Sequence, residues 1–157
     1  MKTLNLHSDF IKFKALKKAL KNIEEIAPKQ ILEGEMKDCL VVLTSIEKGD
    51  TLDSVKELVK SIEDHAKTVQ TKNIVLYPYA HLSKDLANPS TALEILNETA
   101  KSLKGFKVLQ APFGHYKEFE IKVKGHPLSE LSREIKSISN EEKIGRASCR
   151  ERVCQYV

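Results

Sequence analysis

The 157-residue sequence has no tryptophan, three cysteines, two methionines and 6% aromatic residues. So few cysteines exclude a disulfide-stapled scaffold. Cys39 stands inside the apolar run Cys39-Leu40-Val41-Val42-Leu43 and reads as a buried free thiol. Cys149 and Cys154 have neither the spacing of a zinc half-site nor a second Cys/His pair to complete a tetrahedron. No uncharged apolar run approaches the ~18 residues of a membrane helix, and the first seven residues hold no signal-peptide core. The expectation is a cytoplasmic chain without membrane contact. Motifs are missing as well. There is no GxSxG elbow, Walker loop, GxGxxG fingerprint or HExxH pair, so a hydrolase triad, phosphate loop, dinucleotide site or zinc centre has no sequence support.

Charge is nearly balanced, with 26 Lys+Arg against 22 Asp+Glu and a formal net charge of +4. Arg146, Arg150 and Arg152 against Glu151 account for +2 of it, in a segment that also loses apolar periodicity. Residues 1–144 are therefore expected to form one domain, and residues 145–157 a foreign tail or unstructured end. The balance left on the body is no nucleic-acid footprint in itself.

What is present alternates between strand and helix signals. Lys2 to His7 reads as a first strand ending at Ser8-Asp9, whereas Phe10 to Ala15 fits strand or helix equally. Cys39 to Ile46 is the apolar, β-branched run of a strand covered on both faces. Leu52, Val55, Leu58, Val59, Ile62, Ala66 and Val69 set a helix within Thr51–Lys72, with Asp50 or Thr51 as its cap. Asn73 to Tyr77 is a short strand stopped by Pro78. Asn88-Pro89-Ser90 opens a second helix that Gly105 ends. Phe106 to Leu109 and Phe119 to Val123 are strands, and Pro127 is expected to open a last helix through Leu128, Leu131, Ile135 and Ile138.

Three polar clusters fall at the ends of apolar elements: Tyr77-Pro78-Tyr79-Ala80-His81-Leu82-Ser83, Ala111-Pro112-Phe113-Gly114-His115-Tyr116-Lys117 and Lys124-Gly125-His126-Pro127-Leu128-Ser129-Glu130. Each has a plain structural explanation beside a functional one. A lone His81 is more often a loop histidine than a catalyst. Lys117 beside Tyr116 fits a solvated edge-strand lysine. Glu130 could favour the positive end of the expected helix. With Cys39 in surroundings wrong for a thiolate, the chemistry left to Lys117, His81, Tyr116 and Glu130 is water-based hydrolysis or plain binding.

Together with Leu6-His7-Ser8-Asp9 and Asn88-Pro89-Ser90, in this order, these clusters resemble the N-terminal editing domain of archaeal threonyl-tRNA synthetase over about residues 1–138. The resemblance implies a D-aminoacyl-tRNA deacylase-like α/β fold, a mixed sheet with about three helices packed on it, and a strand for Phe10 to Ala15. It further implies a homodimer that needs no cofactor and hydrolyses L-serine misattached to tRNA(Thr), with the rest of the synthetase as a further partner. By the family's pattern Lys117 is tied to the attacking water, and His81, Tyr116 and Glu130 surround the terminal adenosine and seryl group. Ile46, Pro78, Tyr79, Ala80 and Phe113 fall on the substrate pocket.

An aminoacyl ester needs no covalent nucleophile, only a positioned water and a stabilised oxyanion. The neighbouring ribose hydroxyl can assist, as the family's mechanism implies. Such a site also has a purpose: serine lacks one methyl of threonine, a difference worth only ~1–3 kcal/mol in a single binding step. Two rival functions share the same residues, a D-aminoacyl-tRNA deacylase and a non-catalytic module that clamps the tRNA acceptor end and dimerises.

Overall fold

A computed structural model of the chain describes residues 1–136; the expected tail and Ile138 lie outside them. The chain runs β1 (Lys2–Lys18), α1 (Ile23–Ile26), β2 (Glu33–Ser45), α2 (Ser54–Thr68), β3 (Asn73–Pro78), a 3-10 turn (Ala80–Leu82), α3 (Pro89–Ser102), β4 (Lys107–Gln110), β5 (His115–Val123) and β6 (Glu130–Glu134). One mixed sheet has the order β4-β3-β2-β1-β5, with β6 also on β1. β2, β3 and β4 are parallel, which requires crossovers long enough to hold α2 and α3. β1 is antiparallel to β2, β5 and β6.

One 17-residue strand thus replaces the two readings at the N-terminus. Leu4 and Leu6 pack in the same cluster as Ile11 and Phe13, although even and odd positions of a regular strand face opposite ways. The register shift between Ser8 and Phe10 resolves this. An extra residue, Asp9, swaps the parity of every position after it. β2 makes the matching change at Asp38, whose φ is +45°: Cys39, Val41 and Leu43 share the cluster with Met36.

The parallel strands are apolar on both faces because both are covered. Leu40, Val42, Ile74 and Leu76 pack under Leu58 and Ile62 of α2 and Ile95 and Leu96 of α3. Truncating Leu58, which is fully buried, costs ~2–5 kcal/mol by the usual scale for a core leucine. Cys39, Val41, Leu43, Val75 and Tyr77 fill the other face, together with Ile11 and Phe13. Cys39 is a buried free thiol, as expected. Burial, and secondarily the charge of Asp38, pushes it up to about 12, so it is inert as a nucleophile.

α3 begins as its sequence indicates, with Asn88 Oδ1 accepting from the Ser90 N–H at 2.9 Å and Pro89 in the first turn. Two expectations are corrected. Asp50 does not cap α2, because its carboxylate is held by the Met1 ammonium at 2.9 Å and the Glu47 N–H at 2.7 Å; Thr51 Oγ1 accepts from the Asp53 N–H at 3.2 Å in the turn before the helix, which itself starts after Asp53. The helix expected from Pro127 is also absent among the described residues. Glu130–Glu134 is a strand whose Leu131 lies opposite Asn5, since the free edge of β1 offers a ladder that a marginal apolar period cannot outbid. The third helix is instead the single turn α1.

Candidate active site

Pairing with β1 arranges the side chains of β5. Lys117 lies opposite Ala15, Phe119 opposite Phe13 and Ile121 opposite Ile11, so Lys117 is on the sheet face opposite the one that α2 and α3 pack on. Its Nζ stands 4.9 Å from the centroid of the Tyr77 ring and donates to the carbonyls of Pro112 at 2.9 Å and His115 at 3.4 Å. Among the described residues no carboxylate pairs with it. Burial without a counter-charge brings the amine down to about 8.

From this lysine a row of rings leads to His81. Tyr77 lies 6.3 Å from Tyr79, and Tyr79 lies 5.2 Å from His81, edge to face. Phe119, 41% exposed, closes the other side of Tyr77 at 5.2 Å. It was missed in the sequence, although its i, i+2 spacing from Lys117 is the one signal that could have found it. The Tyr77 hydroxyl is pushed up by burial, and secondarily by Tyr79, so it stays protonated.

The turn bearing Ala80 and His81 is anchored at both ends. The Tyr79 N–H donates to the Thr44 carbonyl at 2.9 Å, and the Ser45 hydroxyl donates to the Tyr79 carbonyl. Ser83 Oγ donates to Glu47 at 2.5 Å. That carboxylate also takes the Met1 ammonium at 3.3 Å. His81 itself is exposed, as is Ala80, and Pro78 is buried at the end of β3.

The other expected residues are not brought to Lys117. Tyr116, its chain neighbour, points to the opposite side of β5, is 57% exposed, and carries the Lys17 ammonium 5.8 Å above its ring. Ile46 is buried with Met1 and Leu40 in the helix-covered core, and Phe113 packs against that core from its edge. Glu130 does share the face of the lysine, because it lies opposite Leu6. It is at the far end of it. Nine positions of β1 separate Leu6 from Ala15, a span of about 30 Å at ~3.3 Å per residue. The helical first turn once expected around Glu130 does not exist; it is the first residue of β6.

Around Glu130 the sheet end is built from histidines. The Leu128 N–H donates to His126 Nδ1 at 3.2 Å, which leaves the His126 Nε2 proton for His7 Nδ1 at 2.8 Å and the His7 Nε2 proton for Asp38 at 3.4 Å. A second branch runs from Asn5 Nδ2 to His65 Nδ1 at 3.2 Å and from His65 Nε2 to the Leu128 carbonyl at 2.8 Å. Desolvation holds both His7 and His65 below their ordinary value. His7 and His65 are thus neutral, structural histidines. Among the described residues no three His, Cys, Asp or Glu converge to hold a metal ion, and no helix is long and apolar enough to cross a membrane.

Known proteins match this chain along most of the described structure. Residues 1–135 match the family described as the archaea-specific editing domain of threonyl-tRNA synthetase. A threonine–tRNA ligase of Methanococcus maripaludis (strain C7) is 50% identical over 146 residues, which is 90% of this chain and 23% of the relative. One of Thermococcus kodakarensis is 44% identical over 151 residues, 91% of this chain and 24% of the relative. The chain therefore spans about a quarter of the length of these relatives. Among solved structures, one titled c-Myc DNA unwinding element binding protein superposes with a TM-score of 0.61 at 14% identity, over 88% of this chain and all of that one. That likeness is one of fold, the D-aminoacyl-tRNA deacylase-like α/β architecture. By its sequence along nearly the whole described structure, this chain belongs to the archaea-specific editing domain of threonyl-tRNA synthetase, a domain that hydrolyses mischarged aminoacyl-tRNA.

Proposed function

We propose that this domain removes serine from mischarged L-seryl-tRNA(Thr), and that the Lys117 ammonium positions the hydrolytic water and steadies the developing oxyanion. The observation that carries the reading is a half-buried lysine over an aromatic ring with carbonyls as its acceptors and no carboxylate partner among the described residues. Such a cation keeps its field for a ligand, because no counter-ion cancels it and little water screens it. With the amine at about 8, the ammonium is in roughly tenfold excess at pH 7. His81, Tyr79 and the exposed backbone at Ala80 line the side from which the ester arrives, with Pro78 beneath. The 2′ or 3′ ribose hydroxyl beside the ester completes the catalytic arrangement. Tyr116, on the outer face, meets the RNA end instead of the reacting carbonyl.

Glu130 enters through a second copy. Within one chain it is about 30 Å from Lys117 on the same face, by strand rise. An isologous two-fold axis on that face sets the Glu130 end of one chain against the Lys117 end of the other. Leu4, Leu6, Leu82 and Ile121 lie on that face and are only partly buried, which supports its use as a contact between copies. Ile46 and Phe113 then shape the site from beneath, through the core.

The experiment is deacylation of L-seryl-tRNA(Thr) by the chain, with D-seryl-tRNA(Thr) and a substrate bearing hydrogen in place of the neighbouring ribose hydroxyl as comparisons. Rapid cleavage of the L-seryl ester, with a loss of at least ~10²-fold for the deoxy substrate, is expected. Equal cleavage of the D-ester would move the reading to a chirality-selecting deacylase. Mixed dimers of Lys117→Met and Glu130→Gln chains test the second copy, because one intact site forms only if the two residues come from different chains.

A further inference from the structure

The Lys117 site leaves one unusual contact unused. Gln30 lies between α1 and β2 and meets Phe113, 83 positions later, with both ends of its amide: Oε1 accepts from the Phe113 N–H at 2.7 Å and Nε2 donates to the Phe113 carbonyl at 3.0 Å. A side-chain amide here does the work of a neighbouring strand, satisfying two backbone groups in the segment between β4 and β5.

We infer that Gln30 is a positioning residue for Lys117, an inference that rests on the reading above. The arch formed by residues 112–115 carries the two acceptors of the lysine, the carbonyls of Pro112 and His115, and Gln30 pins Phe113, one of the two residues between them. The rest of the arch is held too. The Gly114 carbonyl accepts from Ala19 at 2.8 Å and Leu20 at 3.2 Å, and His115 Nδ1 donates to the Phe113 carbonyl at 3.0 Å. Gly114 has φ +77°, and a Cβ there would stand 2.6 Å from Ile23 Cδ1, so the arch lies directly on α1. Each contact fixes the arch from outside the lysine. Gln30 takes both the donor and the acceptor of one arch residue. Because peptide units are planar and stiff, a displacement of Phe113 carries its neighbours' carbonyls with it, and the ammonium follows them. Water would then enter where the lysine is now sheltered.

Two variants of the full chain test this. Gln30→Ala removes both bonds. Gln30→Glu keeps the side-chain length and the acceptor for the Phe113 N–H while deleting the donor to its carbonyl. Each should lower kcat for L-seryl-tRNA(Thr) at least ~10-fold with KM within about twofold, as expected when a charge-stabilising group is misplaced rather than removed. In a Lys117→Met background the same Gln30→Ala change should cost nothing more, because it acts through the lysine. Independently of activity, the titration of the Lys117 side chain, followed by NMR on the labelled amine, should move upward by at least about half a unit as water reaches it. An unchanged titration in a folded Gln30→Ala chain, or an equal loss in both backgrounds, overturns the inference. If the unaltered chain cleaves no seryl ester, the functional reading fails, and the titration still decides the role of Gln30.

Discussion

At the Ala15 end of β1 the sheet shelters a lysine among rings and carbonyls; at the Leu6 end it holds a chain of hydrogen-bonded histidines that runs to Asp38. Both ends remove ionisable groups from water, yet the outcomes differ. At the lysine end nothing of opposite charge among the described residues answers the cation, and its amine comes down to about 8. At the histidine end each ring nitrogen has a hydrogen-bond partner suited to the neutral form, and the groups serve the connection between β5 and β6. An uncompensated charge is a poor way to stabilise a fold and a good way to hold a field for a ligand. A satisfied relay of neutral rings does the reverse.

The largest effect that could break this contrast is at the lysine. Lys117→Met should lower the deacylation rate at least ~10²-fold while leaving thermal unfolding nearly unchanged; near-normal turnover in a folded variant would return Lys117 to the role of an ordinary edge-strand lysine. The pH profile sharpens the point. If the ammonium is the active form, enzymatic turnover should fall as pH rises through about 8, the value expected for this amine, and the inflection should vanish in Lys117→Met.

Next in size is Glu130→Gln. A roughly tenfold loss of rate is expected from removing a charged substrate contact, with up to a quarter of the unaltered activity returning in equimolar mixed dimers with Lys117→Met. Failure of the mixture to recover, with dimers demonstrated by sedimentation, would confine the site to one chain.

The histidine end predicts stability rather than rate. Folded-state values below the ordinary one mean that the unfolded chain binds protons more readily at His7 and His65. Their contribution is complete above the unfolded value of about 6.5 and is lost as pH falls below it. The melting temperature should therefore decline between about pH 6.5 and 5, before the carboxylates titrate, and a His65→Gln variant should show a shallower decline. A flat profile there would mean that these histidines are not held neutral. Smallest of all should be Tyr116→Phe, which keeps the exposed ring and is expected to alter kcat less than about twofold; a loss comparable to that of Lys117→Met would put the hydroxyl at the reacting ester after all.

Local signals were legible wherever one element decided them. Asn88 and Pro89 set the start of α3 because the cap involves only neighbours in sequence. Cys39 to Ile46 announced a strand covered twice, since an uninterrupted apolar run has no exposed face to mark. The single long β1 was not legible from periodicity, because Asp9 reverses its parity halfway; only the family resemblance indicated a strand there. Leu128, Leu131 and Ile135 at helical spacing misled for a related reason: a short apolar period competes with an open strand edge that the sequence does not display.

By itself, then, the sequence determined the apolar runs, the start of α3 and the polar clusters at strand ends, all of which follow from bonding within a few residues. It did not determine which of those clusters meet. Lys117 joined Tyr77 because β5 crosses to β1 in a register that aims alternate residues at the face away from α2 and α3, and Glu130 went to the opposite end because β6 takes the other half of the same strand. Gln30 had no motif at all, since a side chain that replaces a missing backbone partner is recognisable only when the gap it fills can be seen. Register and edge pairing are properties of contacts tens of residues apart, and tertiary structure alone decided them.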